Sequence, residues 1–296
     1  MKRNIYLKTI PPAEAVARVK ASIDREALIR EETIPSHEAS GRVLAHAVHA
    51  RYSSPTFHSA AMDGYAVNAR STFAAREGHP LTLKAGETCF AVNTGHPMPE
   101  GCDAVIMIEQ VMLDGGSVTI EAPAFPWQHV RRIGEDIVAT ELLFPRNHQL
   151  RPWDVGALLS GGIWDVPVWE RVTVRIIPTG DEVLDFTTHP DPGKGQVVES
   201  NSQMLAALAR ELGCVVERAA PVPDNPEALH QALKDSLDAG RHLTIFCAGS
   251  SAGSKDFTRA TLEKEGEILT HGIAAMPGKP SLLANCRGRL VAGAPG

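Results

Sequence analysis

The sequence predicts an α/β multidomain protein: a C-terminal α/β domain on a mostly parallel sheet, an inserted all-β domain, and a small mixed linking domain. Three observations predict this. After Arg171, strand-like runs alternate with amphipathic helical runs, which is the pattern of a parallel sheet covered on both faces. From Tyr52 to about His129 the chain offers only short alternating runs broken by glycine, proline and aspartate, the mark of an all-β segment. At 296 residues the chain also exceeds the roughly 100 to 200 residues of a single domain, so two or three are expected.

Taken in order, "PAEAVARVKASI" from Pro12 sets Ala13, Val16, Val19 and Ile23 on one helical face, with proline in the first turn, where its missing N–H is harmless. "EETIPSHEASGRVLAHAVHAR" then reads as strand, turn and strand around Ser40-Gly41. In "SAAMDGYAV", Ser59 to Val67, Asp63-Gly64 is a turn signal. It marks either a well-made hairpin or an ordered loop bearing a functional carboxylate. The runs "YAVNA", "LTLKAG", "CFAVNTG", "AVIMIEQVML" and "GSVTIEA" supply the strands of the β segment. A helix beginning near Pro152, with Asp154 in its first turn, and a following strand return to mixed structure; Trp153, Trp164 and Trp169 around them read as core. The resulting boundaries are 1–50 for the N-terminal helix and strands joining the linking domain, 51–129 for the inserted β domain, 130–170 for the second part of the linking domain, and 171–296 for the α/β domain.

Within 171–296, "RVTVRIIPTG" is a buried-strand run. "NSQMLAALARELG" places Met204, Leu205, Leu208 and Leu212 at helical spacing with Gly213 as the stop. "CVVERAAPV" reads as strand, "NPEALHQALKDSLDAG" as helix, "HLTIFCAGSSAG" as strand, "DFTRATLEKEG" as helix and "GRLVAGAPG" as a last strand. In such sheets ligands sit beyond the carboxyl ends of the strands.

Bulk properties narrow the function. A formal charge of −6 gives no general attraction for nucleic acid or anionic membrane, so an anionic ligand needs a local site. The five cysteines are odd in number, widely spaced and without a CxxC pair, which disfavours a disulfide framework and a zinc site and fits the reducing cytoplasm. No export signal and no run approaching 18 apolar residues is present. Partners are expected to be small molecules or proteins, with no nucleic acid and no membrane.

Three strand ends carry anion-binding chemistry: "PTGDEV", "AGSSAGSKDF" and "GAPG". In the second, Gly249 and Gly253 free backbone N–H groups, Ser250, Ser251 and Ser254 add hydroxyls, Lys255 adds charge, and a helix follows. A glycine-rich turn capped by Ser254 is the plain alternative; the run lacks both the Walker and the GxGxxG spacing. "PGKP" holds Lys279 in a stiff turn suited to an oxyanion, or simply to solvent. The carboxylates of "MDG" (Asp63), "GED" (Glu135, Asp136) and "TGDE" (Asp181, Glu182) are the hard oxygen ligands magnesium prefers, although each taken singly is also an ordinary turn or cap residue. The histidines show no HExxH or HxH pattern; His58, His96 and His271, near glycine loops, are either satisfied structural histidines, the commoner fate, or candidates for phosphate or ring contacts. No GxSxG elbow or cysteine–histidine pairing supports nucleophilic catalysis.

Laid in order, "SAAMDGYAV", "NTGHPMPEGCDAVIMIE", "RRIGEDI", "LRPWDVGALLSGGI", "PTGDEV", "GQVVESNSQML", "CAGSSAGSKDF", "HGIAAMPGKPSLLA" and "VAGAPG" are collinear, and the chain resembles the molybdopterin molybdenumtransferase family, MoeA in bacteria and the E domain of gephyrin in animals. The resemblance implies an elongated homodimer and a magnesium-dependent insertion of molybdate into the dithiolene of adenylylated molybdopterin, with release of AMP. A molybdopterin adenylyltransferase is the implied upstream partner. Asp63, Asp136, Glu182 and Asp256 are the implied catalytic carboxylates and Mg2+ ligands, with Asp63 reaching the cleft across the dimer interface. Thr179, Gly180, Asp181, Ser200, Asn201, the Gly249 to Lys255 loop, and Pro277, Gly278, Lys279 and Pro280 are the implied substrate- and phosphate-binding positions.

The chain departs from the family pattern at several points. His58 and Ser59 stand where an acid and an asparagine are usual, Ser254 where the glycine loop usually has a first acid, and Met276 where a lysine is common. The family also continues beyond the last glycine motif into a small β domain, whereas this sequence stops at Gly296, as a truncated product or a short form would. These departures motivate an alternative function, a non-catalytic molybdopterin-binding storage or sensor protein. An interaction scaffold of the gephyrin kind finds no support in an added linker or domain.

Overall fold

A computed structural model describes residues 8–247 and 257–295. The chain begins with α1 (Pro12–Ser22) and the single turn α2 (Arg25–Leu28), whose first N–H groups donate to the Asp24 carboxylate. Strands β1 (Glu31–Pro35), β2 (Val48–His49), β3 (Ser59–Ala60), β4 (Gly64–Val67), β5 (Leu81–Lys84), β6 (Cys89–Val92), β7 (Ala104–Met107), β8 (Met112–Asp114), β9 (Ser117–Ile120), β10 (Val130–Arg131) and β11 (Leu142–Phe144) follow, then α3 (Pro152–Ser160) and β12 (Asp165–Trp169). The remainder alternates as β13 (Thr173–Pro178), β14 (Val183–Leu184), β15 (Val197–Val198), α4 (Asn201–Glu211), β16 (Val215–Arg218), α5 (Pro226–Asp238), β17 (Leu243–Cys247), α6 (Phe257–Glu265), β18 (Gly266–His271), β19 (Leu282–Cys286) and β20 (Arg289–Ala294). Contacts divide the chain into two units, one joining the residues up to Glu32 with those from Trp169 onward, the other running from Thr33 to Val168.

In the Thr33–Val168 unit, the sheet β6-β4-β7 faces the sheet β5-β9-β8, and Val67, Leu83, Ile106, Val118 and Ile120 form the core between them. The opposite face of β4 contributes Ala66 to a second cluster with Ala60, Val92, Val105 and Val130. Asp63-Gly64 does not turn a hairpin. Gly64 begins β4 and sits opposite Val92 on one side and Met107 on the other, so the glycine answers to a close approach of strands. A Cβ there would lie 2.0 Å from the carbonyl oxygen of Ile106.

A third cluster, including Leu44, Leu150, Leu158, Val166 and Val168, gathers the mixed segments around α3. Pro152 opens α3, and the Asp154 carboxylate accepts the Arg151 N–H. The tryptophans expected as core are mostly outside it: Trp153 is 67% and Trp164 54% exposed, and only Trp169 is half-buried. The buried line of α3 is Asp154 and Leu158, one position out of phase with Trp153, which lies under the Arg151 guanidinium instead.

In the other unit, six strands form one sheet in the order β16-β13-β17-β20-β19-β18. The first three neighbouring pairs are parallel and the last two antiparallel. Strict strand–helix alternation therefore fails at the end: β18 and β19 fall outside the expected pattern, and they form an antiparallel margin. The parallel strands are apolar on both faces. Ile177, Phe246 and Val291 pack with Leu229, Leu233 and Leu262 of α5 and α6, while Val174 and Ile176 pack with Ala206 of α4.

Two helices bury a face other than the predicted one. α4 turns Ser202 and Ala206 inward, small residues that let it lie close to β13 and β16; of the expected stripe Leu205 is half-buried against that cluster, while Met204, Leu208 and Leu212 are left at 64%, 52% and 74% exposure. α1 buries Ala15, not Val16, and rests on β18 and β19. Arg18 there donates to the Leu269 carbonyl at 2.8 Å, and the Ser22 carbonyl accepts from the Asn285 amide. No helix among the described residues is long and apolar enough to cross a membrane.

Candidate functional site

The register of the six-stranded sheet puts Ile177, Phe246, Gly293, Leu282 and His271 in one row. Strands lie about 4.8 Å apart, so the row is roughly 19 Å wide. The segments just beyond it are the "TGDE" turn, the "PGKP" turn and the end of β20, three of the four sequence motifs. The fourth begins after Cys247. Its candidate residues Gly249, Ser250, Ser251, Gly253, Ser254, Lys255 and Asp256 lie outside the described residues.

Beyond β13 the chain bends at Gly180, whose φ of +137° suits glycine. Thr179 is buried and donates its N–H (2.9 Å) and hydroxyl (3.2 Å) to the Cys247 carbonyl, so it fastens two strand ends together. Asp181 accepts the N–H of Asp224 at 3.1 Å. The Glu182 side chain is exposed, with no hydrogen-bond or ion-pair partner among the described residues. The loop returns through β15 to Ser200 and Asn201 at the N-terminus of α4, where Ser200 offers no side-chain cap. Thr179, Glu182, Ser200, Asn201 and Cys247 line a cleft of about 300 Å³. The Ser202 N–H is taken by Glu199 and those of Gln203 and Met204 by the Ser200 carbonyl, so what the helix start offers an anion is its positive end and the Ser200 and Asn201 side chains. The Cys247 thiol is pushed up to about 12, by burial first and by the Glu199 charge second. It is inert as a nucleophile.

Sequence reasoning missed what holds this loop. Arg218, at the end of β16, donates to Asp185 (3.1 Å), Glu199 (3.3 Å) and the Ser202 hydroxyl (2.9 Å), with its guanidinium over the Phe186 ring. Glu199 is buried and also accepts the Ser202 N–H at 2.7 Å. The Thr187 N–H, with Arg218 and the Thr187 hydroxyl, holds the Asp185 carboxyl below its ordinary range despite partial burial. No motif signals these partners, since their proximity is set by sheet pairing.

The "PGKP" turn is tied down by backbone. Ile273 donates to the Lys279 carbonyl (3.0 Å), Ser281 to the Gly278 carbonyl (3.0 Å), and Ile10 forms a bridge with Ile273. Lys279 is exposed, and Met276 is 90% exposed between Ala275 and cis Pro277. His271 is half-buried and already partnered.

In the Thr33–Val168 unit, Asp63 is exposed and accepts the Thr94 N–H at 2.7 Å and hydroxyl at 2.9 Å, both on Oδ1. These bonds, with a smaller contribution from His96, hold its carboxyl below the ordinary range. Oδ2 has no partner among the described residues. Asp136 is paired with Arg131, and Glu135 accepts the Arg132 N–H at 3.0 Å. His58 accepts the Ile133 N–H on Nδ1 at 3.1 Å and packs against Trp127, so the histidine in the acid's place secures the "GED" turn. His96 accepts the Asn93 N–H at 3.4 Å, a turn contact. No three His, Cys, Asp or Glu side chains converge as a metal site among the described residues.

Comparison with known proteins agrees along the chain. Residues 10–162 match the family model of the MoeA N-terminal region (domain I and II), and residues 175–296 match a "Probable molybdopterin binding domain". The molybdopterin molybdenumtransferase of Synechococcus elongatus is 31% identical over 86% of this chain and 67% of its own length. That of Haemophilus influenzae is 32% identical over 90% of this chain and 68% of its own. Among solved structures, the molybdopterin biosynthesis MoeA protein of Pyrococcus horikoshii superimposes with a TM-score of 0.81 at 28% identity, covering 98% of this chain and 75% of that one.

Proposed function

We infer the chemistry from the premise that the chain belongs to the MoeA family of molybdopterin molybdenumtransferases, enzymes of molybdenum cofactor biosynthesis. The proposed reaction is transfer of molybdate into the dithiolene of adenylylated molybdopterin, with AMP released as the pyrophosphate link is opened by water. The observation that carries this reading is the row of loops at one sheet edge. It combines the cleft at the N-terminus of α4, the unpartnered Glu182 carboxylate and the exposed Lys279, which together suit an extended polyanion and an inorganic oxyanion.

Magnesium fits part of the proposed ligand set. Glu182 is an uncommitted hard oxygen ligand, and so is the Oδ2 of Asp63, which the proposal brings from a second subunit, whereas Asp136 is engaged by Arg131. With so few protein oxygens, magnesium would complete its shell from phosphate and water. Bound there, it would neutralise phosphate charge and polarise the attacked phosphorus. Of the chain's own groups, the N-terminus of α4 and Ser200 would orient the phosphates, and Lys279 would hold the oxyanion. Thr94 keeps Asp63 ionised and aimed. Asp256 and the Gly249 to Lys255 loop complete the proposal.

The finer division into pieces at 51–129 and 130–170 belongs to the same proposal and is supported by the separate clusters around Ile106 and Leu158. A homodimer is supported by the exposed apolar stripe Met204, Leu208 and Leu212, with Val215 beside it at 50% exposure. An adenylyltransferase supplying the substrate follows from the substrate's chemistry, and a cytoplasmic location accords with five free thiols.

The test mixes the protein with adenylylated molybdopterin, magnesium and molybdate. AMP release that requires molybdate, and that falls at least a hundredfold in Glu182→Gln and Asp63→Asn proteins that remain folded, supports transfer. Tight pterin binding without AMP release supports the storage or sensor reading instead. Absence of both defeats the proposed site.

A further inference from the structure

The loop from Thr179 to Ser200 carries most of the cleft, yet none of its apolar side chains is fully buried. Its only ladder is β14 with β15, where Val183 pairs with Val197 and Leu184 with Val198, and both Val197 and Val198 are exposed. Gly193, Gly195, Pro190 and Pro192 occupy the excursion between them. Ordering such a segment costs conformational entropy that the ladder alone does not recover.

The chain positions just past the ladder explain the order. Asp185 follows Leu184 and Glu199 follows Val198, and the Glu199 N–H donates to the Leu184 carbonyl at 2.9 Å. Two carboxylates thus leave the ends of neighbouring parallel strands side by side, an arrangement that repels. The Arg218 guanidinium, its side chain only 14% exposed, stands between them and donates to both. Its planar fork also reaches Ser202 in the first turn of α4 and stacks on Phe186. One cation from β16 therefore joins the outgoing strand, the returning strand and the helix N-terminus.

We propose that Arg218 is a positioning residue for transfer: by bridging Asp185 and Glu199 it holds the loop so that Glu182, just before the ladder, and Ser200, beside Glu199, face the cleft together. The proposal rests on the reading of this cleft as the transfer site. Its mechanical half concerns the loop alone.

The experiment compares wild-type, Arg218→Gln, Arg218→Lys and the double variant Arg218→Gln with Asp185→Asn. Amide hydrogen exchange is read in segments 181–199 and 226–247, together with kcat and KM for AMP release. Arg218→Gln is expected to speed exchange in 181–199 at least tenfold while 226–247 is unchanged, and to lower kcat at least tenfold. Arg218→Lys keeps the charge but cannot span both carboxylates, and is expected to fall between. Removing one carboxylate in the double variant relieves the repulsion and is expected to restore at least threefold of the lost kcat, which a role in packing alone would not give. Unchanged exchange in 181–199, or no gain from the second substitution, overturns the proposal. If Arg218→Gln does not fold, Arg218→Lys decides it, and wild-type behaviour there refutes the bridge. If wild-type protein releases no AMP, the functional reading fails while the exchange result still judges the loop.

Discussion

Replacing Gly64 by alanine tests whether this position is governed by strand spacing. The new Cβ would lie 2.0 Å from the Ile106 carbonyl oxygen and 3.0 Å from the Ile108 nitrogen, backbone atoms on and just past β7, the strand paired with β4. Ordinary contact begins near 3.4 Å, so β4 and β7 would have to separate by about 1.4 Å. That separation breaks the pairing at Met107 and strains the bond from the Ile108 N–H to the Asp63 carbonyl. Two backbone bonds at roughly 1 kcal/mol net each, plus the strain of parting the strands, give a loss of about 2 kcal/mol or more. Gly41→Ala is the control: its φ is +79°, but nothing lies within 4 Å of the added methyl group, so only the left-handed backbone is penalised, about 1 kcal/mol. Urea unfolding followed by circular dichroism reads both. Equal midpoints for the two variants would refute the reasoning.

Other outcomes follow from the same geometry. Asp154 is buried, which alone would favour its neutral form, but the Arg151 guanidinium and N–H and the His148 ring outweigh burial and hold its carboxyl well below the usual range. A depressed folded pKa stabilises above the unfolded value and the gain is lost as pH falls towards the folded one, so Asp154→Ala should cost roughly 3 kcal/mol at pH 7 and progressively less below pH 4, measured by urea midpoints across pH. Burial pushes the Cys247 and Cys286 thiols up to about 12 and about 11, and both should be the last of the five to alkylate at pH 8.5, read by mass spectrometry of timed iodoacetamide reactions. Gly180→Ala would set a Cβ 2.8 Å from Val183 and 3.0 Å from the Glu182 carboxylate at a φ of +137°. Its stability should fall by only about 1 kcal/mol while AMP release falls at least tenfold, because flexible side chains yield but carry Glu182 away.

The strands and helices legible in the sequence were those whose apolar runs had turn punctuation. Pro152, Pro226 and Asn225 marked helix starts because capping is local chemistry. What the sequence hid was the choice between faces. In α4 the larger residues Met204, Leu208 and Leu212 promised the buried stripe, but close packing on β13 selected Ser202 and Ala206. β18 and β19 were not legible because no helical run separates them, only the "PGKP" turn, so they break the strand–helix alternation that marks the other strands. Among the candidate residues, Glu182 and Lys279 stand exposed beyond the sheet edge, whereas Thr179 spends its hydroxyl on a strand end and Asp136 spends its charge on Arg131. Thr94 and Arg218, which set the attitude of carboxylates far away in sequence, were not readable from spacing because each acts across a fold contact.

The antiparallel margin has a consequence for how such a surface can grow. In an all-parallel sheet, every segment that enters a strand opens on the opposite side from those that leave one. Reversing β19 beside β20 returns its entry segment, with Lys279, to the side where β13, β17 and β20 finish. One inverted strand therefore lets a connection from the wrong polarity join the others, and lengthening or re-sequencing it would alter ligand chemistry without rethreading the core.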